Sequence, residues 1–321
     1  MLKKILIVRT SSLGDLVHML PAISDIAAHV PGAQIDWLAE ESFAEIPAWH
    51  PAVNEVIPVA HRRWRKSWWS AQTRAERAAL RANLRARQYD IVLDMQALMK
   101  SVWLVRQTHG VRHGLDFKSA REPLASFFYN VRHRVEFWQP AVIRQRKLAA
   151  LALGYQFDGP PNFGLQAFAA PGAIEPYAVI MPSASRDDKL WPEASWRQVF
   201  THLTEAGLSL RLLAGNESEA RRAAELAQGF PAAQVMPRMS LTEIARLLGR
   251  CRLMVGLDSG LTHLSAGIGR PTIGIYKAST PVRTPLQSAG CYTASLGERG
   301  HEPAAQTVLG AIDQALSSET V

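Results

Sequence analysis

Four short segments carry side chains suited to chemistry. The first, Arg9-Thr10-Ser11-Ser12-Leu13-Gly14-Asp15, follows an apolar run and precedes a helix-like stretch. Gly14 lets a ligand approach the backbone closely, and the Asp15 carboxylate can take a proton from a hydroxyl. On its own, an aspartate at a helix start is more readily a cap than a catalyst, and Ser11 and Ser12 can share that role. The second segment, residues 183–192, brings Ser183, Ser185 and Lys189 to a helix start marked by Pro192, a combination that holds phosphate. A charged surface turn closed by its own ion pairs accounts for it about as well. In the third, Leu257-Asp258-Ser259-Gly260-Leu261-Thr262-His263, small residues expose backbone amides at a helix N-terminus, which makes an anion nest. Asp258 as a cap and His263 as a hydrogen-bonded structural histidine are the plainer readings of that segment. The fourth, Ala214-Gly215-Asn216-Glu217-Ser218-Glu219, offers carboxylates after a strand, suited to a ribose diol or simply to the positive end of a helix dipole.

All four segments lie where an apolar run gives way to a helical pattern, so the elements around them decide what they can do. Strand-like runs are expected at 4–8, 33–39, 53–59 and 89–94 in the first half, with helices at 16–30 and 73–87. Breakers cluster at Asp158-Gly159-Pro160-Pro161-Asn162 and Ala170-Pro171-Gly172, which marks a connection. The alternation then restarts, with strands at 177–181, 208–213, 252–257 and 271–276 and helices at 192–206, 219–228 and 261–268. A capping-box pattern, Ser240-Leu241-Thr242-Glu243, opens one more helix. The expected fold is therefore α/β: two doubly wound Rossmann-like domains, residues 1–165 and 166–321, with a cleft between them and ligands at the carboxyl ends of the strands.

Composition narrows the function classes. A formal net charge of +8 asks for an anionic partner, and the basic residues concentrate in His61-Arg62-Arg63-Trp64-Arg65-Lys66-Ser67-Trp68-Trp69. No nucleic-acid motif accompanies them, so nucleic acid is not the expected partner. The chain has no Walker A sequence and no Gly-x-Gly-x-x-Gly after its opening strand, which argues against P-loop hydrolysis and dinucleotide redox chemistry. There is no Asp-x-Asp, and Cys251 and Cys291 have no metal-ligand spacing, so neither metal nor cofactor is expected. The apolar run before Arg9 is too short for a signal-peptide core, and no stretch reaches the roughly 18 apolar residues of a membrane span. A cytoplasmic protein, touching membranes only peripherally, is the expectation.

These segments together resemble the ADP-heptose:lipopolysaccharide heptosyltransferases over almost the whole chain. The likeness rests on the Arg9–Asp15 loop, Arg186-Asp187-Asp188-Lys189 and Asp258-Ser259-Gly260-Leu261-Thr262-His263. Arg62-Arg63-Trp64-Arg65-Lys66 and Ala120-Arg121-Glu122-Pro123-Leu124-Ala125-Ser126 are similar to the branch that adds the first heptose. The resemblance implies a GT-B architecture with an N-terminal acceptor domain, a C-terminal nucleotide domain and a C-terminal helix packing back on the first domain. It implies inverting, metal-independent transfer of L-glycero-D-manno-heptose from ADP-heptose to the first Kdo of Kdo2-lipid A, by a monomer at the cytoplasmic face of the inner membrane. Transfer to an already heptosylated core is the nearest alternative, and a basic nucleic-acid-binding protein is the alternative from another class. Asp15 would be the base, and Ser12, Gly14, Arg62, Arg63, Arg65, Lys66 and Arg121 would bind the acceptor. Ser185, Lys189, Asp258, Ser259, Gly260, Leu261 and His263 would hold the diphosphate and sugar, Glu219 the ribose, and Met239 would lie near adenine. Trp64 and Trp68, four residues apart, are expected on one helix face at the headgroup boundary. The chain departs from the family at Ala184-Ser185, where paired threonines are usual, and at Tyr276-Lys277-Ala278-Ser279, where Tyr-Gly-Pro-Thr/Ser is usual.

Overall fold

The computed structural model describes residues 3–169, 174–184, 186–288 and 290–318. The chain divides into two compact units, Met1–Gly164 and Leu165–Val321. The first runs β1 (Lys4–Val8), α1 (Leu13–Val17), α2 (Leu20–His29), β2 (Gln34–Glu40), α3 (Glu45–Ala48), β3 (Val53–Val59), α4 (His61–Lys66), α5 (Ala71–Ala86), β4 (Gln88–Asp94), α6 (Met99–Val105), β5 (His109–Leu115), β6 (Val131–His133) and α7 (Ala141–Leu153). The second runs β7 (Glu175–Met181), α8 (Glu193–Glu205), β8 (Ser209–Leu212), α9 (Glu217–Ala227), β9 (Ala233–Val235), α10 (Leu241–Arg250), β10 (Cys251–Leu257), α11 (Gly260–Ile268), β11 (Thr272–Ile275), β12 (Thr293–Leu296) and α12 (Ala305–Ser317).

Each unit holds one six-stranded sheet whose paired strands are parallel. Parallel sheets need helices on both faces, so the cores of their central strands are largely apolar. Ile5, Leu6, Ile7 and Val8 of β1 and Met254, Val255 and Leu257 of β10 are fully buried. The order in the first unit is β3-β2-β1-β4-β5-β6, and that in the second, β12-β11-β10-β7-β8-β9, is the same winding read from the other edge. In both, the chain reverses direction across the sheet between the first and fourth strands of the unit. That reversal opens a crevice at the carboxyl ends, β1 beside β4 and β7 beside β10, where doubly wound sheets bind ligands.

Local features of the first unit differ from the sequence expectation. The helix expected over 16–30 is two helices, because Pro21 in the first turn of α2 has no N–H to donate back to the preceding turn. The strands β5 and β6 are too rich in glycine, histidine and arginine to show an apolar period. Gly114 of β5 is required by packing, since a Cβ there would lie 2.3 Å from the Tyr129 ring. The C-terminal helix α12 packs on α8 and on the β10–β12 side of the second unit's sheet, burying Val308, Ala311, Ile312 and Ala315.

Candidate functional site

In the first unit the loop after β1 carries Asp15 in the first turn of α1. Its Oδ2 accepts from the Ser12 amide (2.8 Å) and hydroxyl (3.0 Å), and its Oδ1 accepts from the Arg9 guanidinium at 2.5 Å. The capping reading of Asp15 is therefore realised, but capping does not exhaust the carboxylate: 37% of the side chain remains accessible. Burial pushes its pKa up, but the charges of Arg9 and His18 and the Ser12 hydrogen bonds outweigh that and hold it at about 2. Ser12 and Gly14 sit in the same turn.

The loop after β4 supports this one from the other side of the crevice. Asp94, fully buried, accepts from Tyr129, Ser101 and the amides of Gln96 and Ala97, which fixes the path of residues 94–101. From that fixed loop Gln96 Oε1 accepts from both the amide (3.0 Å) and hydroxyl (2.8 Å) of Thr10, and Lys100 donates to the Ser11 hydroxyl at 2.7 Å. Arg9 also donates to the Met95 carbonyl. Sequence reasoning did not single out Arg9, Gln96 or Lys100; the signal available was the fourth-strand position itself, whose loop shares the crevice in this fold.

The basic segment divides into structural and open parts. Glu40, buried at the end of β2, accepts from the Arg62 amide at 2.8 Å, while the Arg62 guanidinium lies 4.6 Å above the Phe43 ring. Arg63 is clamped by Glu41 and Glu76. Arg65 and Lys66 are exposed, as is Arg121, whose neighbour Glu122 accepts from the Met99 amide at the start of α6. The expectation that Trp64 lies with Trp68 at a headgroup boundary is corrected. Helix α4 ends at Lys66, so the two are not on one helix face. Trp64 is 4% exposed, packed in the core with Leu38, Ile57 and Leu84, and donates to Glu76 at 2.6 Å. Trp68 is half exposed beneath Arg77.

In the second unit the loops after β7 and β10 converge on Asp258. Lys189 donates to Asp258 Oδ2 (2.8 Å) and to its carbonyl (3.0 Å), Ser279 donates to Oδ2 at 2.5 Å, and His263 Nε2 lies 3.2 Å from Oδ1. Burial pushes the Asp258 pKa up, but His263 and Lys189 together hold it well below the usual carboxylate range. Ser259 caps α11, leaving the amides of Gly260 and Leu261 at the start of a nine-residue helix. Gly256 of β10 allows this packing, because a Cβ there would lie 2.7 Å from Thr262 Oγ1. Ser185 lies outside the described residues. Glu219 turns back on its own loop, accepting from the Gly215 amide and the Asn216 side chain, both at 2.8 Å. It also lines a cavity of about 320 Å³ with Ser183, Ala184, Asp187, Arg221 and Arg222. Met239, half-buried, precedes the Ser240 cap of α10, where the expected capping box is present.

The geometry thus offers an ionised carboxylate at one crevice, and a lysine and helix N-terminus at another. The glycosyltransferase family 9 (heptosyltransferase) pattern matches residues 77–308. Lipopolysaccharide heptosyltransferase 1 of Salmonella typhimurium is 48% identical over 87% of this chain and 89% of its own length, and that of Pseudomonas aeruginosa is 45% identical over 87% and 79%. Among solved structures, E. coli heptosyltransferase WaaC with ADP is 42% identical and superposes with a TM-score of 0.90 over 97% of this chain and 99% of that one. The same enzyme with ADP-2-deoxy-2-fluoro heptose gives 0.85 over 99% and 100%. E. coli heptosyltransferase II, 22% identical with a TM-score of 0.75, shares the GT-B fold. The chain belongs to glycosyltransferase family 9, the heptosyltransferases.

Proposed function

We propose that this glycosyltransferase moves L-glycero-D-manno-heptose from ADP-heptose to the first Kdo of Kdo2-lipid A, with inversion and without a metal, using Asp15 as the base. The observation that carries the assignment of Asp15 is its carboxylate: partly accessible, ionised, and at the strand-order reversal of the first unit. The acceptor hydroxyl attacks the anomeric carbon, the bond from that carbon to the diphosphate breaks, and the hydroxyl proton passes to Asp15. Direct displacement inverts the centre and needs only this one carboxylate on the acceptor side. Charge building on the departing ADP is met by Lys189 and the amides opening α11. This assigns to a lysine ammonium and to neutral backbone amide donors the work a metal does elsewhere, in keeping with a sequence that has no Asp-x-Asp.

The acceptor is an anionic lipid, and the exposed Arg65, Lys66 and Arg121 suit its carboxylates and phosphates. Among the described residues no helix is long and apolar enough to cross a membrane. Peripheral contact at the cytoplasmic face of the inner membrane is the reading that fits, with exposed Trp69, Leu124 and Phe127 beside those cations in sequence. The test is an assay of ADP-heptose with Kdo2-lipid A, following ADP release and product mass, with a heptosylated acceptor as control. A single added heptose on Kdo2-lipid A is expected; transfer only to the heptosylated acceptor would reject the acceptor assignment.

A further inference from the structure

The large apolar side chains left in water are unevenly shared. Among the described residues, ten of the twelve belong to the first unit, and three of these, Phe117, Leu124 and Phe127, gather at one place. Leu124 and Phe127 stand three apart in the 3-10 helix Pro123–Phe128, a spacing at which side chains eclipse, so both leave the same face. The Phe127 ring is in tilted contact with that of Phe117, their centroids 6.0 Å apart. Each of the three is more than half exposed. This apolar knuckle has a rigid base. Ala125 of the same helix is buried with Val102 and Tyr129, the Tyr129 hydroxyl donates to Asp94 at 2.8 Å, and the Arg132 guanidinium donates to the Ser126 carbonyl at 2.9 Å. The turn carrying Phe117 is held as firmly: Asp116 accepts from the Ser119 amide at 2.8 Å, and the Ser119 hydroxyl accepts from the Val135 amide at 2.9 Å. Ordered apolar groups held out in water are a standing cost that a partner with an apolar phase removes.

The charges around the knuckle decide which partner. Between residues 116 and 134, Lys118, Arg121, Arg132 and Arg134 are exposed, and both carboxylates of that stretch already accept from backbone amides, Asp116 from Ser119 and Glu122 from Met99. Arg106 adds a guanidinium 5.5 Å above the Phe128 ring, beside the knuckle. The rim is therefore cationic. A second copy of the chain would bring these like charges together, and a nucleic acid offers no apolar phase for Leu124. An anionic bilayer meets both demands: the apolar tips enter between the lipids while lysine and arginine reach the phosphates.

We propose that Phe117, Leu124 and Phe127 insert into the surface of an anionic bilayer, with Lys118 and Arg132 on its phosphates, and so hold the first unit where a lipid-borne acceptor is presented. The inference rests on the reading of the acceptor as a membrane lipid and adds the surface that meets the membrane. Contact here raises the local concentration of acceptor and takes no part in the bond-making step.

The test is cosedimentation with phosphatidylglycerol-containing vesicles that hold no acceptor, beside neutral phosphatidylcholine vesicles, for the unsubstituted chain, the double variant Phe117→Ser/Phe127→Ser, and Lys118→Gln. Binding to the anionic vesicles is expected to weaken at least about tenfold in the double variant and about fivefold in Lys118→Gln, the pull of an anionic surface on one lysine, with neutral vesicles bound weakly throughout. Turnover with a water-soluble, deacylated acceptor should stay within about twofold in both variants, which also shows that they fold. If the double variant loses that turnover, Lys118→Gln decides. Anionic-vesicle binding that is unchanged in both variants, or absent from the unsubstituted chain, would overturn the proposal. So would a concentration-dependent dimer in sedimentation velocity that the double variant abolishes, since a second copy would then cover the knuckle. The vesicles carry no acceptor, so loss of transfer to Kdo2-lipid A with vesicle binding intact rejects the acceptor assignment and upholds the knuckle.

Discussion

Asp15 and Asp258 each sit at the strand-order reversal of a six-stranded parallel sheet, and each is paired with a cation, yet their surroundings differ in a way that separates their chemistry. Asp258 has 11% of its side chain accessible and is bonded to Lys189, Ser279 and His263 together. Asp15 has 37% accessible, and its bonds come from one arginine and one serine. A carboxylate with most of its lone pairs occupied and little access orients its neighbours. One with an open face can meet an incoming hydroxyl. The comparison suits Asp258 to positioning Lys189 and the start of α11, and supports the proposed role of Asp15 in proton transfer.

Among substitutions other than at Asp15 itself, the largest effect that would break this division comes from Asp258→Asn. Loss of its charge releases Lys189 and is expected to weaken donor binding by about tenfold or more, with the turnover number changed far less, since charge-assisted bonds are worth roughly 1.5–3 kcal/mol. A steady-state split of KM against kcat checks it, and a collapse of kcat with KM unchanged would move proton transfer to the wrong aspartate. A smaller, sharper effect concerns pH. With its pKa at about 2, Asp15 stays ionised from pH 5 to 8 and contributes no acid limb there. In Arg9→Met the burial that raises the pKa remains while the main lowering charge is gone. The acid limb of kcat/KM is then expected to move to higher pH than in the unsubstituted chain, the protonated form of Asp15 being inactive as a base. A profile superimposable on that of the unsubstituted chain would show that Asp15 does not control the rate. The smallest effect is expected from Gln96→Ala, which frees Thr10 and loosens the Asp15 loop. Turnover should fall by a few-fold, about the worth of one neutral hydrogen bond, with ADP affinity measured by titration unchanged.

The contrast between the two crevices also marks what could be read in the sequence. The strand-loop-helix junctions at Asp15, Lys189 and Asp258 were legible because apolar runs, small residues and Pro192 are local signals, and so was the Ser240 capping box. The company these residues keep was not. Arg9 and Asp15 are near neighbours, but Gln96 reaches Thr10 and Lys100 reaches Ser11 across more than eighty residues, contacts that only the parallel pairing of β1 with β4 creates. Trp64 was misplaced for a related reason. Its spacing from Trp68 suggested a shared surface, whereas α4 stops at Lys66 and the indole N–H is satisfied by Glu76, twelve residues away. The strands β5 and β6, at one end of the first sheet, escaped notice because tertiary packing, such as Tyr129 over Gly114, stands in for β propensity.

The most direct test of the central claim is single-turnover transfer from ADP-heptose to Kdo2-lipid A by Asp15→Asn, with ADP affinity measured on the same preparation. Asparagine can keep the contact with Ser12 but cannot take a proton. The rate is expected to fall by about 10²–10⁴ with ADP affinity within about twofold. Transfer within a few-fold of the unsubstituted rate would contradict the assignment of Asp15 as the base.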